Sequence, residues 1–406
     1  MNTETKNPLI ADLSAGLVVF LVALPLCLGI ALASGAPLLA GLVAGIVGGI
    51  VVGALSGSHT SVSGPAAGLT AVVATQIDAL GSFNIFLAAL ILAGVLQMIL
   101  GLARAGALIA YVPKSVITGL LAAIGLILII KQTPYLIGYA KSQGWHEGST
   151  VIGFLSLALI IAWPYMPRFS RSLIPVALLV VLLGVFCSWI LALFFHGSTA
   201  WTLAEKYLVQ VPITAHFGDF VNQLYRPDFS SLTSPRIILP AVTLALVASL
   251  ETILNLSATD SLDPKKRKSP ANRELCAQGV GNMASGLLGG LPVTSVIVRS
   301  SSNIHAGAKS RLSAIVHGFL LLLCVVFIPT LLNRIPLSCL AAILLAIGFK
   351  LTSPKVFREM WEDGWHAFLP FIVTIAMILA TDLLKGVAAG LVVHAVWAGF
   401  KRRRRA

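Results

Sequence analysis

Long apolar segments run from one end of the chain to the other and are separated by short polar loops. A helix needs about 20 apolar residues to cross a bilayer, and the pattern predicts about fourteen such segments in two sets of seven. The first set covers residues 12–34, 38–55, 62–79, 85–102, 115–131, 151–165 and 174–195. The second set covers residues 237–258, 273–288, 293–303, 312–332, 337–349, 368–384 and 387–400. We therefore predict an all-α polytopic membrane protein, whose helices satisfy their own backbone polar groups.

Two of these segments, 62–79 and 293–303, are too short to cross the bilayer as helices. Gly, Pro and small hydroxyl residues introduce them, over residues 61–70 and 289–300. A matched pair of such interruptions, one in each half of the chain, points to the binding site of a transporter. Two half-helices that meet at mid-membrane direct backbone N–H groups at one place, which favours an anion.

The order of the segments predicts an inverted repeat. Seven spans in each half place the second half, roughly 236–400, upside down relative to the first, roughly 10–196. With a cytoplasmic N-terminus, the loops after even-numbered spans are richer in basic residues for their length than the loops after odd-numbered spans, as the positive-inside rule requires. These residues are Arg104, Lys114, Arg168, Arg171, Lys265, Lys266, Arg267, Lys268, Lys309, Arg311, Lys350, Lys355 and Arg358. We expect both termini in the cytoplasm and the protein in the cell (inner) membrane.

Composition agrees with a membrane environment. Of the 406 residues, 57% are hydrophobic and 11% are charged, whereas a soluble domain carries about 25% charged residues. The net charge of +13 resides in the loops and in the terminal run 401–405. It therefore indicates membrane topology and contact with anionic lipid, and we expect no nucleic-acid partner.

The sequence lacks the characteristic motifs of metal sites and of several enzyme classes. The five cysteines stand singly, in or next to apolar segments, so neither a metal site nor a disulfide framework is indicated. No Walker motif, nucleophile elbow or HExxH occurs, which argues against ATP hydrolysis and proteolysis. We expect no enzyme and no cofactor, apart from a sodium ion at the coupling site considered next.

Glu251 is the best candidate for ion coupling, because ionisable residues inside spans are costly and mark functional sites by default. Asn255 lies one turn further along the same predicted helix, so both side chains share one face. The carboxylate could exchange a proton or ligate a sodium ion. The alternative is a polar pair that only packs helices together.

Arg299 is the only basic residue deep in a half-span, and it follows Thr294 and Ser295 at the predicted N-terminus of that half-helix. A fixed positive charge beside N–H donors strengthens an anion site. A salt bridge to Glu251 that merely neutralises both charges is the alternative.

Two connections are predicted to lie at the membrane surface. Residues 196–235 are rich in aromatic side chains, so we expect short helices at the outer interface, or alternatively a ligand-binding lid. Residues 350–365, with Trp361 and Trp365, are predicted to form a cytoplasmic interfacial helix.

Four groups of residues, in order along nearly the whole chain, resemble the SulP family of sulfate-permease-like anion transporters, which includes prestin-type proteins. They are residues 12–17 with 23–26, 35–37 and 41–42; residues 63–67; residues 272–275 with 278–279, 281–282, 285–286 and 289–292; and residues 299–301 with 306–307 and 311–313. The resemblance implies a single transmembrane domain over 1–406 with a fold like that of uracil permeases. It also implies that a core domain moves against a gate domain in an elevator-like manner.

The resemblance further implies that the anion lies between the third and tenth spans, with the eighth contributing. The residues carried over to the substrate site are Ala66, Ala67, Gly68, Thr294, Ser295, Val296 and Arg299. Arg299 matches the anion-site arginine of prestin-like members. Glu251 stands where cyanobacterial bicarbonate transporters have an acidic residue linked to sodium, whereas Asn255 departs from their hydroxyl residue.

One departure from the family concerns the C-terminus. Family members usually carry a cytoplasmic STAS domain after the last span, whereas this chain stops at Ala406. We expect either a member without a STAS domain or a chain that ends before it. The resemblance suggests a homodimer, but the part of dimerisation attributed to STAS does not carry over.

Together these features predict secondary active transport of a small inorganic anion of the bicarbonate or sulfate class, coupled to protons or sodium. Both anions would use the same N–H groups and arginine, so the sequence does not rank them. The alternatives are an uncoupled anion channel or exchanger, and a dicarboxylate or nucleobase transporter on the same fold.

Overall fold

A computed structural model describes residues 7–106, 113–139, 144–166, 175–213, 217–381 and 383–403. The predicted loop residues Arg168 and Arg171 lie outside these ranges, as do residues 404–406. Within them, 8 helices are long and apolar enough to cross a membrane. The remaining spans are shorter or more polar.

The fourteen predicted spans correspond to fourteen helices of the described chain. The first half contains α1 (Pro8–Ala33), α2 (Leu38–Leu55), α3 (Ala67–Leu80), α4 (Phe83–Leu102), α5 (Lys114–Leu136), α6 (Glu147–Tyr165) and α7 (Val176–Phe194). The second half contains α8 (Pro235–Leu262), α9 (Ala271–Leu287), α10 (Ile297–His305), α11 (Leu312–Phe327), α12 (Leu337–Leu351), α13 (Trp365–Ala380) and α14 (Leu383–Arg403). The predicted span 312–332 is interrupted after Phe327, because Pro329 cannot continue the helix.

The two half-spans are shorter as helices than the sequence predicts, because each begins with an extended segment. Strand β1 (Ser63–Pro65) precedes α3, and strand β2 (Val293–Ser295) precedes α10. The strands pair antiparallel, with Ser63 opposite Ser295, Gly64 opposite Thr294 and Pro65 opposite Val293. Thr294 and Ser295 therefore lie in a strand and not at a helix N-terminus. Apart from this short ribbon, the membrane domain is all-α.

The helices form two bundles. The first, the core, contains α1–α4 and α8–α11, with α9 packed along α4 and α1 along α11. The second, the gate, contains α5–α7 and α12–α14, with α12 packed along α5 and α13 along α5 and α14. The bundles meet chiefly where α1 contacts α7 and α12, and where α3 contacts α5. Each bundle draws on both halves of the chain.

Small residues bring the core helices close together. A Cβ at Gly94 on α4 would lie 2.6 Å from the carbonyl oxygen of Gly279 on α9, and a Cβ at Gly279 would lie 2.7 Å from that of Gly94. Only glycine permits this separation, which is the usual way for helices to pack tightly in a membrane. The contact packs α9 inside the core. This placement suits α9, because the helix is too polar to face lipid.

The predicted surface connections are present as short elements. The connection between α12 and α13 contains the helix Pro354–Glu362, as predicted for 350–365; its place at the cytoplasmic interface stays a prediction. The connection between α7 and α8 contains the 3₁₀ turn Glu205–Tyr207, the helix Phe217–Asn222 and the 3₁₀ turn Phe229–Thr233.

Asp12, at the start of α1, is buried and accepts hydrogen bonds from the backbone N–H groups of Lys309 and Ser310 at 2.6 and 3.0 Å. That contact joins α1 to the turn before α11.

Candidate functional site at the crossing of the half-helices

The pairing of β1 with β2 brings the N-termini of α3 and α10 to one place. Ala66 is the residue before α3 and Val296 is the residue before α10, and neither residue caps its helix with its own side chain. The first N–H groups of each helix have no intrahelical acceptor. Two helix N-termini that their own N-cap residues leave uncapped therefore lie at the ends of one ribbon, an arrangement that attracts an anion.

Glu251 on α8 lies at the N-terminus of α3. The N–H of Gly68 interacts with its carboxylate, and a Cβ built at Gly68 would lie 2.7 Å from Glu251 Cδ. The Oε2 atom of Glu251 is buried without a hydrogen-bond partner among the described residues. The acidic side chain thus occupies part of the position that an anion would take.

Asn255, one turn along α8, contacts the other half of the site. Its Nδ2 donates to the backbone oxygen of Ser295 at 2.7 Å. Consequently α8 contacts α3 through Glu251 and β2 through Asn255. The structure places both residues at the crossing; their predicted roles in ion coupling remain predictions.

Arg299, in the first turn of α10, is fully buried behind the ribbon. Its Nη2 donates to the sulfur of Cys27 at 3.3 Å and to the backbone oxygen of Pro65 at 3.4 Å. Its Nε and Nη1 atoms have no hydrogen-bond partner in the described part of the protein. Cys27, which lies in an apolar segment, therefore has a polar contact.

The salt bridge between Arg299 and Glu251 that the sequence left open does not form. None of the ion pairs of the described residues includes either side chain. A buried cation without an anionic partner is costly, and it provides a positive potential behind the N-terminus of α3. A Cβ at Gly64 would lie 2.9 Å from Arg299 Cζ, so the glycine in β1 makes room for this guanidinium.

The predicted substrate residues fall into two groups. Ala66, Ala67, Gly68 and Val296 border the two helix N-termini, as the sequence predicts. Thr294 and Ser295 are fully buried inside β2, where the Ser295 hydroxyl bonds with the Ser61 hydroxyl at 2.7 Å. The Ser295 side chain thus supports the ribbon, and the predicted roles of both residues in anion binding stay predictions.

The open side of the site is at the contact between α3 and α8. Ala67 and Glu251 are half-buried, whereas Arg299, Thr294 and Ser295 are fully buried. A cavity of about 300 Å³ lies further along α3 and α8, between the core and the gate, and neither Gly68 nor Glu251 lines it. Ala71 and Thr243 line it from the core, and Ile378 and Thr381 line it from the gate.

Two residues that the sequence analysis did not assign to the site hold the ribbon from α9. Gln278 donates to the Ser63 hydroxyl at 2.7 Å, and Asn282 accepts from the N–H of Val293 at 2.6 Å. The available sequence signal was a polar spacing of four residues, from Glu274 to Gln278 to Asn282, in a segment that otherwise resembles a span.

Sequence comparison decides the family. The sequence profile of the Sulfate permease family matches residues 9–376. The chain belongs to the sulfate permease family. The members that resemble it are transporters and not enzymes, so the sequence-based exclusion of an enzyme is confirmed.

Members of the sulfate permease family match nearly the whole chain. YvdB of Bacillus subtilis is 29% identical over 95% of this chain and 73% of its own length. The bicarbonate transporter BicA of Picosynechococcus is 28% identical over 94% of this chain and 69% of its own length. The solved transmembrane domain of a cyanobacterial BicA has a TM-score of 0.78 at 23% identity, over 96% of this chain and 98% of that one. This structural match confirms the predicted fold.

Proposed function

We propose that this sulfate permease family member is a secondary active transporter of a small inorganic anion of the bicarbonate or sulfate class. The observation that carries the proposal is the contact of Glu251 with Gly68 at the N-terminus of α3. An anion site and a titratable carboxylate share one location there. The family name and the name of BicA support the choice of anion class.

The shared location provides a mechanism for coupling. An ionised Glu251 repels an anion and occupies the N–H of Gly68. A proton or a sodium ion at the carboxylate removes this repulsion, so the anion and the cation favour each other's binding through one coupling free energy. Asn255 holds β2 in place during this exchange through its bond to Ser295.

Arg299 contributes a fixed positive potential in this mechanism. Its guanidinium lies behind the ribbon and contacts Pro65, the residue before Ala66. The charge attracts the anion to the helix N-termini. The site therefore becomes attractive for an anion once Glu251 is neutral.

Movement of the core against the gate would carry the site across the membrane. The half-helices, α8 and the ribbon all belong to the core, whereas the far wall of the 300 Å³ cavity belongs to the gate. We propose an elevator-type displacement of the core, with both termini cytoplasmic, in the inner membrane and in a homodimer.

Uptake into proteoliposomes tests the proposal. Sulfate is the preferred tracer under a proton gradient, because bicarbonate is itself converted to CO₂ by acid; both anions are compared under a sodium gradient. We expect accumulation above the equilibrium level under one of the two gradients, and none in liposomes without protein. Equilibration without accumulation under either gradient would instead identify an uncoupled channel or exchanger. Uptake of a labelled dicarboxylate or nucleobase, with no uptake of either anion, would assign the substrate to another class.

A further inference from the structure

One face of α9 is polar although the helix lies inside the membrane domain. Glu274, Gln278 and Asn282 follow one another at intervals of four residues, so they lie on one face. All three are at most 1% exposed. Polar side chains buried at membrane depth are costly and mark function by default.

Gln278 connects this face to strand β1. Its Nε2 donates to the hydroxyl of Ser63 at 2.7 Å and to Glu274 Oε1 at 3.1 Å. The other carboxylate oxygen of Glu274 accepts from the Ser56 hydroxyl at 2.5 Å. The first residue of β1 is therefore fixed to α9 through an amide that is itself held by a buried carboxylate.

Asn282 connects the same face to strand β2. Its Oδ1 accepts from the N–H of Val293 at 2.6 Å, and its Nδ2 donates to the oxygen of Val293 at 3.1 Å. The same Nδ2 donates to Gln97 on α4 at 2.5 Å, and Gln97 donates to Ser249 at 3.2 Å. Ser249 lies two residues before Glu251 on α8, so this chain of bonds reaches the helix of the carboxylate.

The ribbon depends on these bonds. It has three residue pairs, and Pro65 has no N–H to donate to β2. An isolated two-stranded ribbon is marginally stable even when it is longer. Gln278 and Asn282 hold the first residue of each strand, at opposite ends of the antiparallel pair, and so they fix both strands relative to one helix.

We infer that Gln278 and Asn282 are positioning residues that set the separation of the α3 and α10 N-termini and thereby determine which anion fits. The inference rests on the proposed function, because it assumes that the anion binds between these N-termini. Binding sites need their donors held to within about 0.5 Å. A ribbon that is released from α9 loses that precision without losing any group that contacts the anion.

The test compares Gln278→Met and Asn282→Ala with Ser285→Ala. Ser285 is a matched control, because it lies on the same helix, is fully buried and donates to the backbone of Leu291 at 2.6 Å, outside the strands. The readout is the rise in Tm of detergent-solubilised protein with sulfate and with bicarbonate. We expect the first two variants to lose about tenfold in affinity, because misplaced N–H donors weaken anion binding by roughly the free energy of one hydrogen bond, and to change the ratio of the two affinities. Ser285→Ala should lower the Tm and leave that ratio unchanged.

Ser63→Ala breaks the same contact from the strand side, so it tests the inference even if an α9 variant fails to fold. It removes the acceptor of Gln278 at the strand end, so it should shift the affinity ratio in the same direction as Gln278→Met. Combined, the two substitutions should change the ratio little more than either does alone, because they break one contact. An unchanged ratio in folded variants would make α9 a purely structural support. A wild-type protein that binds neither anion would instead contradict the proposed function.

Discussion

Gly68 and Glu251 lie against each other at the N-terminus of α3, and a Cβ at Gly68 would approach Glu251 Cδ to 2.7 Å. The same half-span contains Gly64, whose missing side chain accommodates Arg299. Thus two glycines of the first half of the chain each leave space for one ionisable side chain of the second half. The acidic side chain lies on the open side of the ribbon and the basic side chain lies behind it.

Replacement of Arg299 tests whether the positive potential behind the ribbon holds the anion. Arg299→Ala should weaken anion affinity about tenfold or more, because it removes the buried positive charge whose potential favours an anion at the helix N-termini. Arg299→Lys retains the charge and should lose less. The measurement is the sulfate-induced rise in Tm of each variant. Equal binding by wild type and a folded Arg299→Ala protein would exclude the role.

Gly68→Ala tests the contact between α3 and α8. The added methyl group overlaps the carboxylate and displaces it, at a cost of about 1–3 kcal/mol for overpacking. We expect accumulation of the anion under a cation gradient to fall sharply. Gly218→Ala is the control, because nothing lies within 4 Å of a Cβ at that position. Accumulation that is equal in Gly68→Ala and Gly218→Ala would show that the contact is irrelevant to coupling.

Substitutions of Ser295 test whether this residue lies in a strand, as the structure shows, or at a helix N-terminus, as the sequence predicts. Ser295→Ala removes one hydrogen bond to Ser61, worth about 1 kcal/mol, and should transport normally. Ser295→Leu places bulk in a fully buried strand and should abolish transport together with a drop in Tm. Transport by Ser295→Leu at the wild-type rate would contradict the structural placement of this residue.

The loop after α8 gives a prediction about stability and pH. The hydrogen bond from Arg267 to Asp263, at 2.6 Å, holds the pKa of the Asp263 carboxyl below its usual range. The folded-state pKa is therefore lower than the unfolded one of about 3.9. The stabilisation is fully present above that value and is lost as the pH falls through the folded-state pKa.

Asp263→Asn measures this contribution. The difference in Tm between wild type and Asp263→Asn should be largest near neutral pH and should shrink as the pH is lowered below about 4. Arg267 also donates to the backbone oxygen of Lys309 at 3.1 Å, which links the loop to the turn before α11. A Tm difference that does not vary with pH would show that the carboxylate is not ionised in the folded protein.

The general location of the site could be predicted from sequence, because its signals are local. The Gly and Pro interruptions before α3 and α10 mark the half-helices, and the spacing of Glu251 and Asn255 places both on one face of α8. Local patterns also identified the helix Pro354–Glu362 and the spans themselves.

The geometry inside the site could not be predicted, because it depends on pairing between distant segments. Nothing in residues 293–295 alone shows that they form a strand with residues 63–65. The direction of Arg299, toward Cys27 and Pro65 and away from Glu251, is likewise set by tertiary packing. Gln278 and Asn282 were visible as polar residues in a span, but their acceptors lie on strands far away in sequence.

In the proposed mechanism Glu251 couples the cation gradient to uptake of the anion, and Glu251→Gln tests this coupling most directly. Glutamine resembles the neutral carboxyl and cannot be ionised, so the repulsion of the anion is removed permanently. The measurement is uptake of labelled sulfate into proteoliposomes by wild type and Glu251→Gln, first with a proton gradient and then with a sodium gradient. We predict that the variant binds sulfate, with the same kind of anion-induced rise in Tm as wild type, but does not accumulate it under either gradient. Accumulation by Glu251→Gln to the wild-type level would show that Glu251 is a structural residue and that coupling occurs elsewhere.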